Sequence, residues 1–257
     1  VHLHISHLKL MGKPQWGRAN ELLEKIANAR AQGIDVDCDQ YPYHASSTSL
    51  TAIVPNWAHD GGFEALNKRV KEKSPRLLND IAEMMAFRGG PACVLVSYTN
   101  GFAPEYDGKT IEEISKMLGA PPEEAVAHVL DRSNGTAKAI YFSMNEQDVF
   151  TILKEMDISI GSDGYAFDYA MDGNPHPRSF GTFPRFLRLN REQKLMPLED
   201  AIYKMTGLPA KQLGMTDRGV LKPGFAADIT IFDENKVKDT SDFLHSVVKP
   251  EGIEHVL

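Results

Sequence analysis

The sequence predicts an α/β fold built on a parallel sheet, and three observations support this. Short apolar strands alternate with longer amphipathic helices, which is the pattern of βαβ units. Polar residues capable of chemistry follow several strands, as they do at the carboxyl edge of parallel sheets. The chain of 257 residues is long enough for one large core, since a domain of this size buries about 70–75% of its unfolded surface.

Composition excludes several other classes of protein. With 42% hydrophobic and 25% charged residues, the chain is neither disordered nor collagen-like. No apolar run approaches the ~20 residues of a transmembrane helix, so no membrane is expected as a partner. The net charge of −7 argues against nucleic acid, because phosphate backbones are bound by Lys and Arg. Only Cys38 and Cys93 occur, which indicates a reduced, cytoplasmic protein.

Strands and helices are predicted in order along the chain. Short apolar runs predict strands at residues 1–5, 34–39, 93–97, 139–142, 158–161, 227–232 and 252–257. Helical spacing of apolar residues predicts helices over residues 18–32, 64–73, 76–87, 110–118, 122–131, 145–156, 198–206 and 210–213. Gly33 suits the end of the first helix, and Ser74-Pro75 separates the next two. The Ser/Thr-rich stretch 45–62 is interpreted as a loop.

Two further features concern the organisation of the chain. Helices give way to turn-punctuated strands near residue 215, so we predict one unit over residues 1–215 and another over residues 216–257. Both ends look like strands that continue, and no signal peptide is recognisable at the start. We therefore expect the chain to be an excerpt of a longer one.

Candidate chemistry lies at the ends of predicted strands. His7 ends the first strand, Asp39 and Tyr41 end the second, and Asp163 follows the strand at 158–161. Imidazole and carboxylate groups in such positions suit a zinc site that keeps one position open for water. The residues alone leave a structural role equally open, with His7 only hydrogen-bonded and Asp163 only capping a turn before Gly164.

The pair His2 and His4 forms an H-x-H motif, which binds metal in some barrels. Alternation along the strand puts these two side chains on the face opposite to His7. We expect His7 to face the barrel interior and leave a structural role open for His4. The sequence contains no nucleophile elbow, P-loop or dinucleotide-binding fingerprint.

A set of short motifs runs in collinear order through essentially the whole chain. The motifs are Ile5-Ser6-His7-Leu8-Lys9, Asp39-Gln40-Tyr41-Pro42-Tyr43, Ser46-Ser47-Thr48, Ile140-Tyr141-Phe142-Ser143-Met144, Ile160-Gly161-Ser162-Asp163-Gly164, His176-Pro177-Arg178, Gly181-Thr182-Phe183-Pro184-Arg185, Lys204-Met205-Thr206, Asp217-Arg218-Gly219, Ala227-Asp228-Ile229 and Gly252-Ile253-Glu254-His255-Val256. This combination resembles the N-acyl-D-amino-acid deacylases (D-aminoacylases) of the amidohydrolase superfamily.

The resemblance implies a fold and an activity. The fold would be the second half of a metal-dependent (β/α)8 TIM barrel, about strands five to eight with insertions, followed by part of a small β-sandwich. The upstream strands and their metal ligands would lie outside the chain. The activity would be cleavage of the amide bond of N-acyl-D-amino acids to a carboxylate and a free D-amino acid, with one or two zinc ions as cofactor.

The resemblance also implies roles for three residues. His7 falls on the metal-binding histidine of the fifth strand. Asp163 falls on the eighth-strand aspartate, which is both a metal ligand and the general base. Arg178 falls on the arginine that binds the α-carboxylate of the substrate, and we expect it in a loop beyond the eighth strand.

Four more residues carry weaker expectations. Tyr41 falls near a sixth-strand metal ligand, but His44 follows three positions later, so the identity of this ligand stays open between the two. Ser97 and Tyr98 are expected to end the seventh strand and line the substrate pocket. A simple turn at the strand end is the alternative for both.

Two other functions stay open at this point. The chain could belong to an amidohydrolase that acts on a different, cyclic amide, although Arg178 favours a substrate with a free carboxylate. It could also be a non-catalytic fragment that folds as a homo-oligomer or together with the upstream half of a barrel. The expected small-molecule partner is an N-acyl amino acid.

Overall fold

The computed structural model describes residues 1–171 and 173–257. Its strands are β1 (Leu3–Ile5), β2 (Val36–Gln40), β3 (Ser46–Ser49), β4 (Val94–Tyr98), β5 (Lys109–Thr110), β6 (Lys138–Tyr141), β7 (Ile158–Ile160), β8 (Thr230–Phe232) and β9 (Ile253–Val256). Its α-helices are α1 (Ala19–Ala31), α2 (Gly62–Glu72), α3 (Pro75–Phe87), α4 (Ile111–Leu118), α5 (Pro122–Arg132), α6 (Glu146–Leu153), α7 (Arg178–Gln193), α8 (Leu198–Met205) and α9 (Gly207–Gln212).

A three-stranded parallel sheet carries the predicted βαβ pattern. The strand order is β1-β2-β7, with Cys38 of β2 paired to Ile158 of β7. One face of the sheet is apolar and packs against Ile26 of α1 and Ile152 of α6. The prediction of parallel strands covered by helices is confirmed for this part of the chain.

Four other strands form a separate antiparallel sheet, in the order β3-β6-β4-β5. The expectation that β4 is the seventh strand of a parallel barrel is therefore wrong, and β7 pairs directly with β2. The interpretation of residues 45–62 as a loop is also wrong, because β3 pairs with β6 about ninety residues later. Such long-range pairing leaves no local signal in a short polar strand. Helices α2 to α5 enclose the core beside this sheet.

Helix α7 was not predicted from the sequence. Gly181 and Pro184 lie inside it, and both residues normally argue against a helix. Tertiary packing outweighs this local preference, because Phe186 and Leu187 are buried. The buried carboxylate of Asp239 also pairs with two arginines of the helix.

Residues 216–257 contain the short antiparallel pair β8–β9 and no α-helix. The predicted strands at 227–232 and 252–257 are thereby confirmed, with shorter bounds. An apolar cavity of about 970 Å³ lies between this segment and helices α7 to α9. The proposed boundary at residue 215 stays a prediction.

Among the residues that the structure describes, no helix is long and apolar enough to span a membrane.

Candidate active site

The parallel sheet brings three predicted residues to one edge. His7 comes two residues after β1, Asp39 lies near the end of β2, and Asp163 comes three residues after β7. Because the parallel strands of one sheet end at the same edge, these three residues lie along that edge. Both His7 and Asp163 have a φ of 47°, a left-handed conformation that is uncommon outside glycine and concentrates at functional sites.

Asp39 connects these strand ends. Its Oδ1 accepts a hydrogen bond of 2.9 Å from the backbone N–H of His7. Its Oδ2 lies 2.7 Å from Nε2 of His4. A Cβ on Gly161 would lie 2.7 Å from Asp39 Oδ1, so only glycine fits at this position of the neighbouring strand end. The carboxylate of Asp39 is therefore fixed by His4 and by close packing on Gly161, and it fixes the backbone at His7.

The two upstream histidines lie on the sheet face that points away from the helices. His4 contacts both Asp37 and Asp39, and His2 contacts Asp35 and Asp37. Burial lowers the pKa of His4, but its hydrogen bonds to Asp39 and Asp37 outweigh this and raise the pKa above the ordinary value.

β1 ends at Ile5, and His7 has a left-handed φ of 47°, so strand alternation does not extend as far as His7. Asp39 contacts the side chain of His4 and the backbone N–H of His7. That the side chain of His7 lies on the face opposite to His2 and His4 stays a prediction.

Arg178 forms an ion pair with Asp163, with 2.8 Å between Nη1 and Oδ2. The arginine is the first residue of α7, so the expectation that it lies in a loop is wrong. Its side chain is only 7% exposed, and its Nη2 donates to the carbonyl oxygen of Ser47 at 3.3 Å. The guanidinium lies 4.9 Å from the ring centroid of Tyr41. The guanidinium of Arg178 is therefore a positive group held beside the carboxylate of Asp163.

His176 fixes the start of α7. Its Nδ1 accepts the backbone N–H of Arg178 at 3.0 Å, and its Nε2 donates to the carbonyl oxygen of Ala45 at 2.9 Å. Burial holds the pKa of His176 well below the ordinary value. The imidazole therefore stays neutral, and its two hydrogen bonds define one tautomer.

Lys9 is a site residue that the sequence reasoning did not single out. Its Nζ lies 2.7 Å from Nδ1 of His7 and 5.4 Å from the ring centroid of Tyr41. Burial lowers the pKa of Lys9 to about 8, although the carboxylate of Asp163 acts in the opposite direction. The sequence feature that could have indicated Lys9 is its position two residues after His7, just beyond the end of a predicted strand.

The two candidates for the sixth-strand ligand occupy different surroundings. The ring centroid of Tyr41 lies 5.4 Å from Nζ of Lys9 and 4.9 Å from the guanidinium of Arg178. Its hydroxyl is buried and has no hydrogen-bond partner among the described residues, and burial raises its pKa, so it stays protonated. His44 instead contacts the rings of Phe142 and Phe243. The structure therefore brings Tyr41 to the strand ends and places His44 in an aromatic cluster.

Ser97 and Tyr98 belong to the antiparallel sheet and do not end a strand of the parallel one. Ser97 is fully buried, and its Oγ has no partner among the described residues. The ring of Tyr98 lies beside Gly173, where an added Cβ would be 3.2 Å away. Tyr98 thus touches the segment that connects Asp163 to α7, whereas Ser97 is enclosed in the sheet.

The described residues do not form a complete zinc site by themselves. Imidazole and carboxylate are ligand types that zinc accepts, and His7 and Asp163 provide one of each. No group of three or more His, Cys, Asp or Glu side chains in residues 1–171 and 173–257 is arranged to hold a metal ion. A tetrahedral zinc site needs three or four protein ligands. These residues do not complete such a site by themselves.

The chain is thus an α/β protein with His7 and the arginine-paired Asp163 after the two outer strands of one parallel sheet. The sequence profile of the amidohydrolase family matches residues 11–257. The chain belongs to this family.

Three of its curated relatives are deacylases of N-acyl amino acids. The chain is 36% identical to an N-acyl-D-aspartate deacylase and to a D-aminoacylase of Alcaligenes xylosoxydans xylosoxydans, over 98% and 100% of its length. It also resembles the crystal structure of the N-acyl-D-glutamate deacylase from Bordetella bronchiseptica, complexed with zinc and a phosphonate inhibitor, with a TM-score of 0.76 and 33% identity over the whole chain. The chain spans 42% and 44% of the two Alcaligenes proteins and 45% of the Bordetella chain.

Proposed function

We propose that this chain is part of a metal-dependent hydrolase that cleaves the amide bond of N-acyl-D-amino acids to a carboxylate and a free D-amino acid. The observation that carries the proposal is the placement of His7 and Asp163 after two strands of one parallel sheet, with Arg178 of α7 paired to Asp163. The similarity to deacylases along the whole chain supplies the substrate class.

Each of these three residues has a role in this proposal. Asp163 acts as a metal ligand and as the general base that takes a proton from the attacking water and passes it to the leaving amine. Arg178 binds the α-carboxylate of the substrate, because a guanidinium meets a carboxylate with two parallel hydrogen bonds. His7 is a metal ligand, and the ring of Tyr41 packs against the guanidinium of Arg178, 4.9 Å from its centroid.

Zinc is the cofactor that the proposal requires, as one or two ions. His7 and Asp163 would be two of its ligands, and the others would come from a part of the protein that these residues do not include. Bound zinc supplies a Lewis acid and lowers the pKa of water. The crystal structure of the deacylase from Bordetella contains zinc.

The proposal also extends to architecture. The three parallel strands would be part of a (β/α)8 barrel with the antiparallel sheet as an insertion, and residues 216–257 would be part of a small β-sandwich. The expected protein partner is a second copy of the chain or an upstream half of the barrel. Cys38 and Cys93 are both free thiols, which supports a cytoplasmic location.

Hydrolysis by the natural-length protein loaded with zinc tests the proposed function. N-acetyl-D-amino acids should release free amine, and the matched L-enantiomers and a cyclic amide should release much less. Release from the cyclic amide alone would favour the alternative amidohydrolase. No zinc binding and no turnover with any of these compounds would overturn the proposed function. Turnover by the natural-length protein but not by residues 1–257 alone would support a non-catalytic fragment.

The role of Arg178 has its own test. Arg178→Lys keeps the charge and loses the paired hydrogen bonds, so the KM for N-acetyl-D-amino acids should rise about tenfold or more. Substrates whose α-carboxylate is replaced by an amide should be poor for the wild type and respond little to the substitution. Equal losses for acid and amide substrates would show that Arg178 does not read the carboxylate.

A further inference from the structure

The side chain of His4 lies between two carboxylates of the neighbouring strand. Its Nδ1 contacts Asp37, and its Nε2 lies 2.7 Å from Oδ2 of Asp39. His4 and Asp37 are direct partners in the register of β1 and β2, and Asp39 is two positions further along β2. The pairing of the two strands therefore brings the three groups together, and both nitrogens of the His4 ring are engaged.

This arrangement suits only one protonation state of His4. A neutral imidazole has one N–H and one lone pair, so it donates to one carboxylate and turns a lone pair toward the other, whereas an imidazolium donates to both. Asp37 and Asp39 are the charged groups that act on the ring, and His2 contacts Asp37 as well. Burial lowers the pKa of His4, but the hydrogen bonds to Asp39 and Asp37 outweigh it and raise the pKa above 6.5.

The second oxygen of Asp39 connects this contact to the backbone of His7. Oδ1 accepts the N–H of His7 at 2.9 Å, while Oδ2 is held by His4. His7 has a φ of 47°, a left-handed conformation that costs free energy in a residue with a Cβ. The hydrogen bond from Asp39 offsets part of this cost. The turn at His7 therefore depends on the orientation of the Asp39 carboxylate, which His4 sets.

We propose that His4 is a positioning residue for His7: as an imidazolium it fixes Asp39, and Asp39 fixes the left-handed turn from which His7 reaches the metal. The metal alone rests on the proposed function, and the protonation of His4 is a property of these residues. Because the pKa is raised in the folded protein, the stabilisation is complete below pH 6.5 and is lost as pH rises through the folded value.

Magnetic resonance of the zinc-free, natural-length protein with isotope-labelled histidine tests the protonation state. The His4 signal, assigned by its loss in His4→Gln, should show protons on both ring nitrogens and titrate above pH 6.5. Asp39→Asn keeps the shape of the side chain and removes its charge, so it should move this titration to lower pH. A wild-type His4 that titrates at or below pH 6.5 would overturn the proposal.

The zinc affinity of the same protein tests the link to His7. His4→Gln removes the charge and should weaken zinc binding about tenfold or more, as the loss of a group that orients a metal ligand does. His4→Lys keeps a positive charge beside the carboxylates and should retain more affinity than His4→Gln. His59→Gln removes an exposed histidine before α2 and should leave the affinity unchanged. Thermal unfolding checks that each variant is folded.

Two results of the zinc measurement would overturn the assignment. Unchanged affinity in a folded His4→Gln protein would show that His4 does not position His7, even if both its nitrogens are protonated. Equal losses in His4→Gln and His4→Lys would show that the charge of His4 is not what fixes Asp39. If the wild type binds no zinc, the proposed function fails, and the titration of His4 in the wild type and in Asp39→Asn still decides whether the imidazolium is held by Asp39.

Discussion

Gly161 packs so closely on Asp39 that an added Cβ would lie 2.7 Å from Oδ1 and 2.9 Å from Cγ. Asp39 cannot move away freely, because it is bonded to His4 and to the backbone of His7. Gly161→Ala should therefore cost about 1–3 kcal/mol in the free energy of unfolding, as overpacking does. It should also lower turnover about tenfold or more, since a displacement of about 1 Å at a site can cost more than that.

A double-mutant cycle checks that Asp39 is the cause. In an Asp39→Ala background the clash disappears, so adding Gly161→Ala should cost little further stability. Urea unfolding of the four proteins measures this. An equal cost of Gly161→Ala in both backgrounds would mean that the added methyl group clashes with something other than Asp39.

Asp163→Asn should abolish hydrolysis while the protein stays folded. The substitution preserves shape and removes the proton acceptor, and groups of this kind contribute about 10²–10⁴-fold in rate. Thermal unfolding and turnover should be measured together, with Asp168→Asn in the following exposed loop as the control. An Asp163→Asn protein with more than a tenth of the wild-type turnover would contradict the assigned role.

Asp239 is expected to be an important residue for stability. Its side chain is 3% exposed and pairs with Arg185 at 3.0 Å and Arg188 at 2.7 Å, joining residues 216–257 to α7. Asp239→Asn leaves both arginines without their counter-charge and should cost about 3 kcal/mol. Glu192→Gln removes the exposed partner of Arg188 and should cost less than about 1 kcal/mol. Similar losses for the two variants in urea unfolding would contradict the prediction.

We expect Lys204 to make the free energy of unfolding depend on pH in the alkaline range. The side chain is fully buried, and its Nζ donates to the carbonyl oxygens of Leu153, at 2.7 Å, and Glu155. Burial lowers the pKa of Lys204 from 10.5 to about 8, although Glu155 opposes the shift. Between pH 8 and 10.5 the unfolded chain therefore binds more protons than the folded one, so the free energy of unfolding rises with pH in this range. The stabilisation is complete above the unfolded pKa of 10.5 and is lost as pH falls through about 8.

Comparison with Lys204→Met isolates this effect. The stability of the wild type relative to the variant should rise by about 2–3 kcal/mol between pH 7.5 and 10.5, at about 1.4 kcal/mol per pKa unit. Urea unfolding at several pH values measures the difference. A pH-independent difference would mean that Lys204 titrates in the folded protein as it does in the unfolded chain.

Local patterns predicted most of the helices and the three strands that carry the site. The apolar spacing of α1 and the short runs at β2 and β7 depend on neighbours in sequence, so they are readable without a structure. The strand ends then indicated His7, Asp39 and Asp163 as polar groups at one edge. Family motifs added Arg178, although its position at the start of a helix was hidden by the glycine and proline within α7.

The sequence by itself determined the family, the alternation of strands and helices and the residue types at the strand ends. The tertiary structure alone decided which strands pair, because the partners of β3 and β4 lie far away along the chain. It also decided the contacts of His4 and Lys9, which lie on either side of a left-handed turn at His7 to which strand alternation does not extend. Sequence periodicity describes one element at a time, whereas these contacts depend on how separate elements meet in space.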